Sequence, residues 1–466
     1  MSRFLSEPDA LPGPGDRVLV LGLGVSGEAA ARHALVLGAT VAVVDEADDP
    51  LLRERAAALG GERVVLGTAA AGPAEAAGAD LVVTSPGVPE RAPALAAARE
   101  AGVPVWSEVE LAFRLARVPI IGVTGTNGKT TTTRMLAGAL TAAGIRAVAA
   151  GNIGRPLIDA VVEDHEVVVA ELSSFQLRHI AAFRAPVGVL LNAAPDHLDW
   201  HGTFEDYLAA KARLFENQLA DDVAIHHDDE TCASAAGGSA GRRVPFTASS
   251  VPAGGAGVGE DGWIVVPQGR VVAADRLRAR GRPALSNAVA AAAAACAFGA
   301  SPDRVGGALA KFAPLPHRME LVASPGGVSY VNDSKATNPH AVLAALEGLD
   351  RVVLIAGGRN KGLDLSSIAR GSDRIAAVIA IGDSAGEIAT AFAGSGVAVT
   401  RAATMDDAVA RAVALARAGD TVLLSPGCAS FDMFADYKAR GEAFRAAVKR
   451  LEATGAHAKT AGEGTT

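Results

Sequence analysis

The sequence predicts an α/β protein of three domains, each a parallel sheet with helices packed on it. Short apolar segments alternate with alanine-rich segments along most of the chain, which is the pattern of strand–helix–strand units. Several apolar segments end in glycine-rich or polar turns, where open α/β sheets bind ligands. At 466 residues the chain is too long for one core. We expect domains at residues 1–107, 108–314 and 315–466.

Composition limits the class of protein. No apolar stretch is long enough to span a bilayer, and Glu7 and Asp9 stand where a signal peptide would need a basic start, so we expect a cytoplasmic protein. Cys232, Cys296 and Cys428 are odd in number and widely spaced, which fits neither a disulfide framework nor a zinc site. The formal net charge of −8 disfavours nonspecific nucleic-acid binding.

The first domain carries a dinucleotide fingerprint. Gly22-Leu-Gly-Val-Ser-Gly27 follows the first predicted strand and opens a helix, and Asp45 ends the second strand. A nicotinamide dinucleotide and a UDP-sugar are equal interpretations, because both carry a pyrophosphate and a ribose; a tight turn without a ligand is the third. Ser85-Pro-Gly-Val88 adds a further loop at this edge. The predicted strands are Val18–Leu21, Val41–Val44 and Leu81–Val83.

The second domain contains a segment typical of nucleotide-phosphate loops, Gly122-Val-Thr-Gly-Thr-Asn-Gly-Lys-Thr-Thr131. It lies between a predicted strand, Val118–Val123, and a predicted helix, Thr130–Ala143. Backbone N–H groups and the helix N-terminus therefore face the phosphates. Lys129 supplies positive charge for the outer phosphates, and Thr130 or Thr131 supplies a hydroxyl to Mg²⁺. The domain is thus predicted to be a P-loop ATP-binding domain.

The glycine spacing of this loop is irregular. The general pattern has glycine five residues before Gly128, where this sequence has Val123, and the glycines fall at Gly122 and Gly125 instead. The alternative is a glycine-rich turn without a ligand. The strand–loop–helix context favours the phosphate loop.

Three further residues of the second domain are candidates for metal chemistry. Glu171 follows the predicted strand Val167–Ala170 and is placed to hold Mg²⁺, although a helix N-terminal acid is the alternative. His197 follows the predicted strand Val187–Leu191, and ligation competes with a structural role. Lys211, on a helix that begins near Thr203, is in isolation a solvated surface lysine.

Other parts of the second domain carry less information. His226 and His227 have no comparable setting and are interpreted as surface residues. Gly237–Gly262 is rich in Gly, Ala and Ser and predicts hairpins and loops.

The third domain has four polar loops at predicted strand ends. With Arg318, Lys335 and Lys361 as cations, they predict a second face of the ATP site and an anion pocket. The segment from Gly455 is expected to be a disordered tail. The loops are Leu315–Arg318, Asn332–Asn338, Gly357–Gly362 and Ser425–Asp432, and the predicted strands are Val352–Ile355, Ala377–Ile381 and Thr421–Leu424.

Over nearly its whole length the chain resembles the Mur ligase family, and within it the members that add D-glutamate to UDP-N-acetylmuramoyl-L-alanine in peptidoglycan synthesis. The family's own phosphate loop is similar to Thr124–Thr130, which accounts for Val123. The loops Asn332–Asn338 and Ser425–Asp432 resemble the D-glutamate-adding members. The other matching blocks are Gly151–Gly154, Glu171–Leu177, Asp196-His197 and Leu315–Arg318.

The resemblance implies a fold of Rossmann-like, P-loop and Rossmann-like domains, and a reaction in which ATP activates a carboxylate as an acyl phosphate. It implies two Mg²⁺ ions, a CO₂-derived carbamate on Lys211, and action on small molecules by a monomer. The carbamate requires surroundings that lower the lysine pKa. The implied catalytic residues are Lys129, His197, Lys211 and Arg318, and the metal-binding residues are Thr130, Glu171, His197 and Lys211.

The resemblance also assigns residues to each substrate. ATP is assigned to Gly125, Thr126, Asn127, Gly128, Lys129, Thr130, Thr131, Asn287, Arg318 and Asp333. The UDP-sugar is assigned to Gly22, Gly24, Val25, Ser26, Gly27, Asp45, Ser85, Gly87 and Asn152. D-Glutamate is assigned to Lys335, Thr337, Lys361, Ser430, Phe431 and Tyr437.

One block departs from the family, and three other functions compete with this interpretation. Ahead of Asn287 the family usually shows Gly-x-His-Asn, whereas this sequence has Gly281-Arg-Pro-Ala284, so the assignment of Asn287 to the adenine is the least supported. The competing functions are a nicotinamide-dependent oxidoreductase, which leaves Lys129 unexplained, a folylpolyglutamate synthase, and an ATP-dependent switch that binds ATP without turnover.

Overall fold

A computed structural model of the chain describes residues 3–7, 9–60, 63–68, 72–279 and 281–454. The tail predicted from Gly455 lies outside the described residues. The sheets occupy successive parts of the sequence, as the alternating pattern predicts. No helix in the described ranges is both long and apolar enough to cross a membrane.

The first sheet is parallel and has the strand order β3-β2-β1-β4-β5. The order reverses between β1 and β4, and such a switch point opens a crevice at the carboxyl ends of the strands. The strands β1 and β4 are buried along nearly their whole length. The elements are α1 (Arg3–Ser6), β1 (Arg17–Leu21), α2 (Val25–Val36), β2 (Thr40–Asp45), α3 (Pro50–Ala58), β3 (Arg63–Leu66), α4 (Gly72–Gly78), β4 (Leu81–Thr84), α5 (Pro93–Glu100) and β5 (Val105–Ser107).

The second sheet is parallel and has the order β11-β10-β9-β6-β8-β7. The strand before the phosphate loop, β6, therefore lies between β8, which ends at Glu171, and β9. The elements are α6 (Glu108–Leu115), β6 (Ile120–Thr124), α7 (Lys129–Ala142), β7 (Ala147–Gly151), α8 (Leu157–Ala160), β8 (Val167–Glu171), α9 (Ser174–Arg178), β9 (Val187–Leu190), α10 (Leu198–His201), α11 (Phe204–Ala212), β10 (Val223–His227), α12 (Glu230–Ala235) and β11 (Arg242–Phe246).

The segment Gly237–Gly262 was predicted as hairpins and loops, which is only partly right. Arg242–Phe246 is β11, a parallel edge strand of the second sheet paired to β10. The strands β12 (Gly257–Val258), β13 (Trp263–Val266) and β14 (Gly269–Ala273) then form a small antiparallel sheet. The exposed Arg242 and Arg243 and the internal Pro245 hide the strand pattern, and an edge strand tolerates proline.

The last large sheet, which we call the third sheet, has the order β15-β16-β20-β17-β18-β19 and is antiparallel only at β15. Its central strands β17 and β18 are buried and rich in valine and isoleucine. The elements are α13 (Arg282–Ala297), α14 (Pro302–Lys311), β15 (Glu320–Ala323), β16 (Ser329–Asn332), α15 (Pro339–Leu346), β17 (Val352–Gly357), β18 (Ile375–Ile381), α16 (Ala385–Ala391), β19 (Ala398–Arg401), α17 (Met405–Leu415), β20 (Thr421–Leu424) and α18 (Tyr437–Thr454).

Cα proximity divides the chain into two compact units. The first comprises residues 1–193, 200–276 and 287–310, and the second comprises residues 194–199, 277–286 and 311–466. The short segment 194–199, which contains His197, thus belongs to the second unit although β9 and α11 on either side of it belong to the first. The three-domain boundaries given above stay a prediction.

Candidate active site

The glycine-rich loop after β1 borders a cavity of about 400 Å³ in the first unit. Gly22 has φ +83°, and a Cβ on Gly27 would collide with the Gly22 carbonyl, so the close approach of α2 to this turn requires glycine at both positions. The cavity lies at the β1/β4 switch point, where sequence reasoning expected a nucleotide. Its lining includes Gly22, Gly24, Val25, Ser26, Asp45, Ser85, Gly87 and Val88.

Asp45 lines this cavity and also fixes the glycine-rich loop. Its two carboxylate oxygens accept hydrogen bonds from the backbone N–H of Leu23 at 2.6 Å and of Ala47 at 2.9 Å. The Ser85 hydroxyl donates to the Gly22 carbonyl at 2.8 Å. Asp45 and Ser85 therefore hold the cavity wall in place, and their predicted contact with the UDP-sugar stays a prediction.

The phosphate loop joins β6 to α7 as predicted. Gly128 caps α7 with φ +85°, a left-handed conformation that glycine adopts at little cost. The Lys129 ammonium donates to the carbonyls of Gly125 at 2.7 Å and Thr126 at 2.9 Å, so it lies over the loop. Thr130 is half-buried in the first turn of α7, and Thr131 is buried. The predicted strand–loop–helix arrangement is therefore present, with Lys129 at the start of α7.

The irregular position Val123 has a structural reason. It lies within β6 and is fully buried, and the turn begins only at Gly125. The backbone N–H groups of Thr126 and Asn127 donate to the carbonyl and side-chain oxygens of Asn192, at 3.0 and 2.9 Å. Asn192, which was assigned no role from the sequence, therefore holds the loop through two hydrogen bonds.

Asn287 lies against the same loop. A Cβ on Gly128 would collide with the side-chain oxygen of Asn287, which is on α13 in the first unit. The amide thus touches the phosphate loop even though Pro283 and Ala284 replace the family's usual His-Asn pair. This contact supports the predicted ATP role of Asn287, which stays a prediction.

Glu171 provides the donor best suited to a cation. It is 2 % exposed at the end of β8, and its Oε1 accepts from the Asn152 amide at 2.9 Å. Its Oε2 is buried and has no hydrogen-bond partner among the described residues. An unpaired buried carboxylate oxygen beside a phosphate loop fits Mg²⁺. In the described part of the chain no group of three or more His, Cys, Asp or Glu side chains has the geometry of a metal site.

Lys211 is not a surface lysine, contrary to its interpretation in isolation. It is 1 % exposed on α11, where its Nζ donates to the Gly125 carbonyl at 2.9 Å and lies 4.4 Å from the centre of the Tyr207 ring. Thr203 caps α11 and sets this direction. Lys211 and Lys129 therefore share one acceptor in the phosphate loop. Burial disfavours the ammonium form of a lysine.

The interpretation of His226 as a surface residue is also wrong. His226 is only 5 % exposed, and its Nδ1 lies 2.9 Å from the His227 carbonyl. His227 is half-buried and pairs with Asp229 at 2.7 Å. Their place on β10, with parallel strands on both sides, buries them.

In the second unit, His197 follows an aspartate that is hydrogen-bonded to two of the loops predicted to form the anion pocket. Asp196 accepts from Lys361 at 2.9 Å and from the Asn338 amide at 3.0 Å, and these partners hold its pKa below the usual range against the opposing effect of burial. His197 adopts φ +53°, which costs energy in a residue with a Cβ. The predicted metal ligand is therefore held in a strained turn beside the predicted D-glutamate residue Lys361.

Three of the four loops predicted to form the anion pocket follow the adjacent strands β16, β20 and β17, so they meet at one edge of the third sheet. The Lys335 ammonium lies 4.2 Å from the centre of the Tyr437 ring, a cation–π geometry. Ser430 is 3 % exposed and Phe431 is 66 % exposed. Thr337 is half-buried in the loop after β16.

Arg318 and Asp333 lie at the same edge. Burial raises the pKa of Asp333 to about 7, although the Met319 N–H at 3.1 Å, the Ser425 hydroxyl at 3.2 Å and the Arg318 charge all act to lower it. His317 and Met319, on either side of Arg318, both have positive φ.

Sequence reasoning missed Arg440, which ties two of these loops together. It is 1 % exposed, and its guanidinium donates to the hydroxyl and carbonyl of Ser334 and to the carbonyls of Cys428 and Ala429. Burial lowers its pKa to about 10. The burial of Arg440 could have been predicted from its spacing, because it lies on the same face of α18 as the buried Phe444 and Ala447.

The chain has three large sheets with polar loops at the ends of their strands, and one of these loops is the phosphate loop. Such an arrangement defines a nucleotide-dependent α/β enzyme. Family models match the chain in the same order. They are the Mur ligase MurD-like N-terminal domain over residues 16–107, the Mur ligase middle domain over residues 123–295, and the Mur ligase glutamate ligase domain over residues 317–428.

Whole-chain relatives agree. A UDP-N-acetylmuramoylalanine–D-glutamate ligase of Frankia casuarinae is 48% identical, covering 93% of this chain and 94% of the relative, and one of Streptomyces avermitilis is 44% identical, covering 94% and 99%. The solved structure of a pseudomurein peptide ligase type C from Methanothermus fervidus has the same fold, with a TM-score of 0.59, 19% identity and coverage of 94% and 100%. The chain belongs to the Mur ligase family.

Proposed function

We propose that the protein is an ATP-dependent amide ligase that adds D-glutamate to UDP-N-acetylmuramoyl-L-alanine in peptidoglycan synthesis. The observation that carries this proposal is the phosphate loop, flanked by the unpaired carboxylate oxygen of Glu171, in a chain 48% identical to a ligase of that name. The cavity at the β1/β4 switch point suits a UDP-sugar, because the glycine-rich loop and the N-terminus of α2 border it and can receive a pyrophosphate.

A carboxylate is a poor acceptor for an amine because resonance and negative charge both oppose attack. The alanyl carboxylate therefore attacks the γ-phosphate of ATP in line, which forms a P–O bond, releases ADP and gives an acyl phosphate. The D-glutamate amine then attacks the acyl carbon, loses a proton, and expels phosphate from the tetrahedral intermediate. Lys129 and Arg318 neutralise the charge that develops on the transferred phosphoryl group.

Two Mg²⁺ ions, when bound, would neutralise phosphate charge and orient the transferred group. Thr130, Glu171 and His197 would hold them through hydroxyl, carboxylate and imidazole donors. Lys211, as a carbamate, would add a carboxylate in a position where an ammonium would repel a cation. The free Oε2 of Glu171 and the burial of Lys211 support these assignments.

The amino acid is proposed to bind at the carboxyl edge of the third sheet. Lys335, Thr337, Lys361 and Ser430 would hold its two carboxylates, with Phe431 and Tyr437 against its carbon chain. Each of these residues stands in, or directly after, a loop at that edge. We also propose that the enzyme acts as a monomer, since one chain carries a predicted subsite for each substrate. Its proposed location is the cytoplasm.

The transfer of oxygen tests the acyl phosphate directly. UDP-N-acetylmuramoyl-L-alanine labelled with ¹⁸O in its alanyl carboxylate is incubated with ATP, Mg²⁺ and D-glutamate. We expect one labelled oxygen in each phosphate released, because the carboxylate oxygen that attacks phosphorus leaves with it. Unlabelled phosphate would show that water or D-glutamate attacks ATP, and would exclude this reaction. A sample with L-glutamate in place of D-glutamate is the control.

A further inference from the structure

Trp200 contacts the rim of the cavity without lining it. It lies on α10, and its indole N–H donates to the Val88 carbonyl at 3.1 Å. Val88 ends the loop after β4, where its own N–H donates to the Ser85 carbonyl at 3.1 Å. Ser85 in turn is bonded to Gly22. The indole is thus bonded to a turn that lines the cavity and is itself bonded to the glycine-rich loop after β1.

The Trp200 ring also packs against neighbouring aromatic rings. We call the group of Phe175, Trp200, His201 and Tyr207 the aromatic wall. The Trp200 ring lies 4.9 Å from Phe175 and 4.5 Å from His201, both edge to face. His201 lies 5.3 Å from Tyr207, and its Nε2 lies 2.9 Å from the Ser174 hydroxyl. Phe175 and Trp200 are half-buried, and edge-to-face ring pairs stabilise such a cluster.

The aromatic wall ends at the phosphate loop. The Tyr207 hydroxyl donates to the Thr126 hydroxyl at 3.1 Å, and Tyr207 is 1 % exposed. Trp200 therefore gives the cavity rim a support that is itself anchored beside the ATP-binding loop. Two residues further on, the Glu90 carboxylate lies 3.3 Å from His179 Nε2 and 3.6 Å from the Arg178 guanidinium. Loss of the Trp200 bond alone should therefore loosen the rim without releasing it.

We infer that Trp200 is a positioning residue for the UDP-sugar: it holds the Ser85–Val88 turn in its binding conformation against the aromatic wall. This inference rests on the proposed function. Trp200 would act through the Ser85–Val88 turn and not by contact with the UDP-sugar, since it does not line the cavity. A ligand that closes on Gly22, Ser85 and Gly87 must otherwise order that turn itself, which weakens its binding.

The test is the pair of variants Trp200→Phe and Trp263→Phe. The first keeps a ring in the aromatic wall and removes only the N–H donor. The second makes the same change on β13, outside the cavity lining. Titration calorimetry with UDP-N-acetylmuramoyl-L-alanine should show Kd raised about three- to tenfold in Trp200→Phe, the value of one neutral hydrogen bond. Kd should be unchanged in Trp263→Phe.

Two further readouts separate positioning from general damage. The affinity for ATP should stay within about twofold in Trp200→Phe, since its ring contacts remain. The loss in Trp200→Phe should also appear in the KM for the UDP-sugar and leave kcat near the parent value, since the indole touches no reacting group. Unchanged affinity for the UDP-sugar in Trp200→Phe would overturn this inference, and so would a loss of ATP affinity equal to the loss of UDP-sugar affinity. Either result would leave the proposed function standing. A parent enzyme that does not bind the UDP-sugar would overturn the proposed function with it.

Discussion

Replacing Lys129 with alanine is expected to lower kcat by at least about a thousandfold, a loss of about 4 kcal/mol of transition-state stabilisation. The ammonium lies over the phosphate loop, and Lys211, which shares its Gly125 acceptor, is proposed to carry a carbamate and so does not replace its positive charge. Arginine at this position should not restore the rate, because its planar fork differs from a compact ammonium. Initial rates of phosphate release at saturating substrates measure the effect.

The matched control for Lys129→Ala is Lys311→Ala, which removes the same charge from the exposed end of α14. It should keep the parent rate. Circular dichroism checks that both variants fold, because Lys129 also holds two loop carbonyls. Retention of more than about a tenth of the parent kcat in Lys129→Ala would contradict the ATP role of this loop.

Replacing Lys211 with alanine is expected to reduce kcat by about a hundredfold or more, since it removes the carboxylate that a carbamate would give to the metal site. The structure offers a second explanation for such a loss, because the Lys211 ammonium donates to the Gly125 carbonyl. The two explanations differ in the sign of the missing charge. Rescue by small molecules can therefore separate them.

Short carboxylates such as acetate should restore part of the Lys211→Ala activity if the lysine acts as a carbamate. Alkylamines should restore it instead if the lysine acts only as a donor to Gly125. A ¹³C signal from labelled bicarbonate on the parent enzyme, absent from Lys211→Ala, is the independent readout. Full activity in Lys211→Ala, or rescue by amines alone, would remove the carbamate from the mechanism.

The strands and loops that position the site were predictable because they are buried and periodic. The segment before the phosphate loop, the strand Thr421–Leu424 and the turn after β1 all lie where their apolar pattern placed them. β11 was missed because it is an edge strand with exposed arginines and a proline. Edge strands carry little hydrophobic signal.

The tertiary contacts of single polar residues were less predictable. Lys211 has a local sequence typical of a surface helix, and only the packing of α11 beside the phosphate loop buries it. Asp196 and Lys361 are far apart in sequence, so nothing local predicts their pairing. Arg440 was predictable in principle from its place on an apolar stripe, whereas the bond from Trp200 to Val88 depends on a contact between distant segments.

The most direct test of the ligase function is the dependence of phosphate release on D-glutamate. The enzyme is supplied with ATP, Mg²⁺ and UDP-N-acetylmuramoyl-L-alanine, and phosphate is measured with and without the amino acid. Amide formation predicts sustained release only when D-glutamate is present, with one amide formed for each phosphate. Release that is equal with and without D-glutamate, or absent in both, would contradict the assignment.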